Sequence, residues 1–306
     1  MNSTVCTLFE GTYHFGLGVL VNSLYANGYR GNICVGYRGE LPPWAANARK
    51  FDGFAEFNPA EGLTLRFIPL TTKVHLTNYK PDFMLEVWNK HCREAGALFY
   101  FDPDITIKCR WTFFEEWAQD GVALCEDVNS PMPSTHPIRN AWRHFYGKLG
   151  RKLQNNLDIY VNGGFAGVTL NQKGFIEEWR QIQEEMSPAA GNMMDWGLQD
   201  RTFKFCFTDQ DALNIALMNT TMPFSLSGKD GMDIDRMGFI MSHALGPRKP
   251  WRRLYLWERF SKGFSVGFAD RAYWLHVKYP IVLYSPLQRM SRWLDMMATV
   301  AFDRFF

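Results

Sequence analysis

The chain has 306 residues, 46% hydrophobic and 21% charged, which suits one large globular core or a core with an appendage and excludes intrinsic disorder. Net charge is only +2 but uneven, since residues 251–306 carry nine basic against four acidic side chains and residues 1–250 carry 24 against 27, so the basicity is confined to one apolar segment and nucleic acid is not an expected partner. Six cysteines without a C-x-x-C pair argue against a disulfide frame or zinc site, and with no basic-then-apolar leader and no run near the roughly 18 apolar residues of a membrane span the expectation is a cytoplasmic protein, at most peripheral at the inner face of a membrane.

Short apolar runs at 4–9 (TVCTLF), 32–37 (NICVGY), 63–68 (LTLRFI), 97–101 (ALFYF) and 121–126 (GVALCE) read as strands. They are β-branched or aromatic and largely unalternating, as strands buried on both faces tend to be. Helices are expected at 16–27, 82–95 and 111–119, the last because Trp111, Phe114 and Trp117 recur at helical spacing. The GLG at 16–18 lacks the third glycine and acidic partner of a dinucleotide-binding loop. Residues 125–148 hold turn residues and then an aromatic–basic helix that either covers the sheet or rims an acceptor site, where Glu126 and Asp127 would touch the acceptor. NGGFAGVTL (162–170) is a glycine-rich turn entering a strand, 171–186 a polar helix and 187–200 a loop. DQDALNIALMN (209–219) opens with acidic residues and runs into an apolar helix, a good N-terminal signature. Composition shifts after GPRKPW, at about residue 250. Strand–helix alternation indicates an α/β sheet with helices on both faces.

In such a sheet, ligands bind outside the carboxyl ends of the strands, which is where Asp102 and Asp104 follow the ALFYF strand. Two residues apart in an extended segment, they can face one point in the cleft, with Pro103 stiffening the turn. Two carboxylates repel each other and cost desolvation unless something positive lies between them, and Mn²⁺ or Mg²⁺ is the economical candidate. In MSHALGPRKPW (241–251), His243 follows an apolar strand candidate and can complete a metal shell, while Lys249 can meet a phosphate.

Four patches in this order resemble a family 8 type glycosyltransferase, a retaining nucleotide-sugar enzyme of the GT-A fold. They are the Asp-x-Asp (Asp102, Asp104), the Asn-small-Gly turn (Asn162, Gly163, Gly164), Asp-Gln-Asp-x-Leu-Asn (Asp209, Gln210, Asp211, Leu213, Asn214) and His-x-x-Gly-x-x-Lys-Pro-Trp (His243, Gly246, Lys249, Pro250, Trp251). The resemblance implies a Rossmann-like mixed sheet flanked by helices over residues 1–250 and a helical, basic–aromatic extension over 251–306. It further implies metal ligation by Asp102, Asp104 and His243, and diphosphate contacts from Lys249 and the Gly246 backbone. Asp209 would bond sugar hydroxyls, with Asp211 beside it on the donor, and Gln210 would sit below the anomeric carbon. Gly163 and Gly164 would leave room for the sugar ring and Asn162 would join the donor site. Where the family places an Asp or Asn after the first strand, this chain has Phe9, Glu10 and Tyr13, so Glu10 would take the acidic contact and Tyr13 would stack on the base. His75, Tyr79 and Lys80 fall where the family brings further groups to the donor.

The expected activity is transfer of a hexose from a nucleotide sugar, UDP-linked by analogy, to a saccharide or lipid-linked acceptor. A catalytically silent nucleotide-sugar-binding protein and a sugar nucleotidyltransferase are the alternatives. The first would release no nucleoside diphosphate; the second would release pyrophosphate. Fourteen aromatic residues beside the basic ones in 251–306 suit peripheral membrane contact, or packing on the body.

Overall fold

The computed structural model describes residues 1–195 and 202–305. In chain order it runs β1 (Ser3–Glu10), α1 (His14–Ala26), β2 (Gly31–Arg38), β3 (Arg49–Phe51), β4 (Phe54–Ala60), β5 (Leu63–Pro69), α2 (Lys80–Glu86), β6 (Ala97–Phe101) and β7 (Ile105–Ile107). It continues through α3 (Trp111–Trp117), β8 (Val122–Cys125), α4 (Pro137–Lys148), β9 (Phe165–Thr169), α5 (Lys173–Met186), α6 (Thr208–Asn219), β10 (Phe224–Ser227) and β11 (Met241–His243). Three helices close the described chain: α7 (Tyr255–Lys262), α8 (Phe268–Leu275) and α9 (Pro286–Phe305).

Nine strands form one sheet in the order β10-β8-β9-β6-β1-β2-β5-β4-β3. Only β4 and β9 run against the rest, so the sheet is mixed but mostly parallel. β6 shows why these strands do not alternate in sequence. Leu98 and Tyr100 face the layer of α2, α5 and α6, while Ala97, Phe99 and Phe101 face the layer of α1 and α3. Both faces are core, so both sets of positions must be apolar.

The expected strands and helices all occur, with edges moved. The helix expected at 82–95 starts at Lys80 and ends in a π-helical turn at Val87–His91. The hairpin of β3 and β4, the edge strand β10 and the short β7 lie outside the expected set, while β11 falls at the strand candidate next to His243. The expected loop at 187–200 holds two 3₁₀ turns, Ser187–Ala189 and Gly191–Met193, and its last part lies outside the described residues.

The GLG of α1 has a packing role. A methyl group on Gly16 would collide with the Pro103 carbonyl and lie 2.9 Å from the Trp251 ring, and one on Gly18 would lie 2.5 Å from Leu283. The bare helix therefore seats the Asp102–Asp104 turn and the chain after residue 250 together. Asn22, buried on the same helix, completes the attachment. Its amide nitrogen donates to the carbonyls of His276 (2.6 Å) and Ile281 (2.8 Å), and its carbonyl accepts from the Ile281 N–H (2.8 Å). Asn22→Ala leaves those groups without partners in a buried seam and is expected to cost about 3 kcal/mol of unfolding free energy. Chemical denaturation checks this, and a loss below about 1 kcal/mol would remove Asn22 as the anchor.

Candidate active site

A cleft of about 660 Å³ opens at the carboxyl ends of β1 and β6. Asp102 leaves β6 there, with its N–H on the Gly164 carbonyl (2.7 Å) and its carboxylate accepting from the Tyr100 hydroxyl (2.8 Å). β7 pairs antiparallel with β11, placing His243 opposite Ile105 and so beside Asp104. His243 Nε2 lies 3.3 Å from Asp104 and 3.9 Å from Asp102. One ligand atom from each of Asp102, Asp104 and His243 lies within 4.8 Å of the others, the one such group found among the described residues.

Two lysines make this concentration of carboxylate tolerable. Lys80, at the start of α2, is 1% exposed and donates to Asp209 (2.9 Å) and the Gly163 carbonyl (2.9 Å), and pairs with Asp102 (3.2 Å). Burial works against its charge, but Asp102 and Asp209 outweigh that and hold its pKa above the usual lysine value. Lys249 donates to Asp104 and to the Ala244 carbonyl, with its ammonium 5.6 Å from the centre of the Tyr13 ring. Burial likewise opposes its charge, and Asp104 reverses the balance and raises its pKa. Burial opposes ionisation of Asp104, yet Lys249 and His243 hold its carboxyl well below the usual range. Burial pushes Asp209 up despite Lys80.

The glycine turn is held by amides. Asn162 donates to Asp127 (2.6 Å) and accepts from the Gly164 N–H (2.8 Å), while Gln210 accepts from the Gly163 N–H (3.0 Å). Asn214 bonds Val161 in both directions, at 2.9 Å and 3.0 Å, so a side-chain amide on α6 replaces a strand partner. A methyl group on Gly163 would lie 2.7 Å from Asp209, and one on Gly164 would lie 2.5 Å from His243 and 3.0 Å from Asp102. Any larger residue at 164 would fill the space beside the three candidate ligands.

Of the residues singled out in the sequence, Phe9, Glu10, Tyr13, His75, Lys80, Asp102, Asp104, Asn162, Gly163, Gly164, Asp209, Gln210, His243, Gly246 and Lys249 all line this cleft. Asp127 lines it too, whereas Tyr79, Asp211 and Glu126, which accepts from the Ser130 hydroxyl, do not. Tyr79 packs on the α2 side of the core. Asp211 turns inward and accepts from the Tyr160 hydroxyl (2.6 Å) and the Phe207 N–H (2.9 Å). The expected donor contact of Asp211 is thus replaced by a structural one. Glu10 is paired with Arg38 at 2.8 Å, and His75 Nδ1 accepts from the Thr77 N–H (3.2 Å) to start a 3₁₀ turn. Reading the sequence missed Tyr100, Asn129, Phe207 and Arg252 in the wall. None sits in a motif, and only the fold brings them there.

No protein-family model and no curated protein matches the chain. Solved structures do. The apo structure of WbbM, a bifunctional glycosyltransferase, superposes with a TM-score of 0.53 at 15% identity, over 96% of this chain and 51% of that one. The glycosyltransferase GlyE of Streptococcus pneumoniae TIGR4 superposes with a TM-score of 0.50 at 14% identity, over 96% of this chain and 63% of that one. The chain thus spans between half and two-thirds of the length of these structures. What the chain shares with these glycosyltransferase structures is the fold, a mostly parallel mixed sheet flanked by helices.

The inward turn of Asp211 predicts a pH dependence. Burial pushes its carboxyl up to about 7, against the pull of the Tyr160 and Phe207 donors. Between the ordinary carboxylate value and about 7, the folded chain keeps a proton that the unfolded chain has released. This group therefore favours the fold at low pH and loses that contribution as pH rises through about 7. From about pH 5 to about pH 8 the wild type should lose roughly 2–4 kcal/mol relative to Asp211→Asn, which cannot ionise. Urea unfolding of both proteins across that range checks it, and parallel curves would contradict it.

Proposed function

We propose that this chain is a metal-dependent glycosyltransferase of the family 8 type, moving a hexose from a UDP-linked sugar to a saccharide or lipid-linked glycan with retention of configuration. The reading rests on the convergence of Asp102, Asp104 and His243 with two buried lysines in one cleft at the carboxyl ends of parallel strands. Their oxygen and imidazole donors suit Mn²⁺ or Mg²⁺, and the bare Gly164 keeps the adjoining space open. The charge balance supports the same view. Five carboxylates (Glu10, Asp102, Asp104, Asp127, Asp209) line the cleft against three cations (Lys80, Lys249, Arg252), a balance that repels a diphosphate until a divalent cation joins it. Held there by Asp102, Asp104 and His243, a cation would offset charge developing on the departing nucleoside diphosphate.

The chain's own groups have distinct tasks in this reading. Lys249 and the Gly246 backbone meet the diphosphate. Phe9, Glu10, Tyr13 and His75 form the wall for base and ribose, with Arg38 holding the Glu10 carboxylate in place. Gly163 and Gly164 admit the sugar ring, and Asp209, oriented by Lys80, accepts from its hydroxyls. Apart from the candidate metal ligands, the cleft aspartates are Asp209 and Asp127, and together they already hold donors from Lys80, Asn162 and Asn129. That favours front-face attack, with a phosphate oxygen of the leaving group taking the acceptor proton, over a covalent intermediate. A thermal-shift screen of UDP-, GDP-, dTDP- and CMP-sugars with and without Mn²⁺ tests the proposal. At 100 times its dissociation constant a donor should add about 2.7 kcal/mol. The expected pattern is a UDP-sugar shift that needs Mn²⁺ and is absent in Asp104→Ala. Equal shifts without metal or in the variant would overturn it, and release of UDP from bound donor separates transfer from silent binding.

Among the described residues no helix is long and apolar enough to cross a membrane. Trp257 and Phe260 on α7, and Met290, Trp293 and Leu294 on α9, are nonetheless exposed, beside Arg289 and Arg292. We assign this surface to peripheral contact with an anionic membrane, where such an acceptor would reside. Deleting α9 is an unsuitable test, because Asp295 accepts from the N–H groups of Tyr255 and Leu256 at the start of α7. Replacing Trp257 and Trp293 together by alanine should lower binding to anionic vesicles several-fold while sparing the donor thermal shift. Unchanged vesicle binding would remove the membrane role.

A further inference from the structure

Lys80 and Lys249 neutralise neighbouring carboxylates but are held in different ways. Lys80 is fixed on three sides by Asp102, Asp209 and the Gly163 carbonyl, all anchored in the core. Lys249 closes the exposed loop Leu245–Arg248, where Gly246 has a φ of +72° and a methyl group on its Cα would meet nothing within 4 Å. It spends its bonds on one carboxylate, Asp104, and on the Ala244 carbonyl of its own loop.

We infer that Lys249 is an exchangeable counter-ion, which occupies Asp104 until a diphosphate draws it away, so that cation and nucleotide load cooperatively. The inference rests on the metal-dependent reading above and deepens it. Asp104 offers one oxygen to Lys249 and the other to His243 Nε2, so the candidate metal ligand is already committed to an ammonium. While Lys249 stays there, a divalent cation among Asp102, Asp104 and His243 must lie beside a positive charge on the same carboxylate. Lys249 cannot simply withdraw, because leaving a buried carboxylate without a new anion costs the pair's interaction. A diphosphate supplies that anion, and the loop can follow it without disturbing the sheet. By linkage, each of the two ligands then tightens the other by the same factor.

The test is a titration of the full chain with Mn²⁺ by electron paramagnetic resonance, with and without saturating UDP. In the wild type, UDP should tighten Mn²⁺ on the order of tenfold or more, within the 5- to 150-fold span of ordinary couplings. Without UDP, Lys249→Met should bind Mn²⁺ several-fold more tightly than the wild type, and UDP should then add less. Lys249→Arg, which keeps the charge, should remain close to the wild type and shows that the effect is not a folding defect. Arg252→Met removes a cleft cation bonded to Thr12 and, among the described residues, to no carboxylate, and should gain much less Mn²⁺ affinity than Lys249→Met. Unchanged or weaker Mn²⁺ binding by Lys249→Met overturns the inference, as does an equal gain in Arg252→Met. Failure of every protein to bind Mn²⁺ even with UDP would overturn the metal-dependent reading itself, and this inference with it.

Discussion

Three of the four aspartates that line the cleft close on lysines, and two lysines are what allow them to stand so near one another. Asp102 and Asp209 close on Lys80, and Asp104 closes on Lys249. An uncompensated carboxylate at that depth would cost several kcal/mol. Each lysine arrives on a different part of the fold, Lys80 from the start of α2 and Lys249 from the loop after β11. The order of the sheet therefore has to bring β6, the β7–β11 pair and α6 to one point. Much else follows from that meeting. The glycine turn at 163–164 is tight because Asp209 and His243 stand against it, and Asn214 acts as a strand partner because Val161 must hold that turn in place.

The parts of this arrangement that were legible in the sequence are those carried by local pattern. Unalternating apolar runs mark strands covered on both faces, and β6 bears this out residue by residue. The short motifs around Asp102, Gly163, Asp209 and His243 converge because each lies at the end of an element that the same pattern locates. What could not be read depends on partners distant in sequence. β3 spans three exposed residues and has no apolar run to announce it. Asp211 resembles a ligand residue in its motif, but Tyr160, 51 positions earlier, turns it inward. Lys80 falls where groups are expected to reach the donor, but only the pairing of β1 with β6 and the placement of α6 put three acceptors around it.

The glycines of α1 show the same limit from another direction. Their spacing suggests a phosphate loop without its remaining parts, yet their use is steric. One admits the turn that carries Asp102 and Asp104 along with Trp251, and the other admits Leu283. The residues after 250 consequently lean on the helix that supports the cleft floor, and Asn22 locks them there. A change of composition along the chain is thus no guide to where the packing stops.

The two ends of the nine-stranded sheet bear on how copies of the chain meet in solution. Edge strands invite addition of a foreign strand, and natural sheets blunt them with brevity and charge. At one end β3 offers only Arg49, Lys50 and Phe51, and at the other β10 is four residues long. Neither gives an incoming backbone much ladder to extend, so fibrous growth by strand addition is disfavoured at both ends. Colloidal behaviour at high concentration should instead be governed by the aromatic face of α7 and α9, and a mild detergent, rather than a strand-capping peptide, is the additive that should keep the protein dispersed.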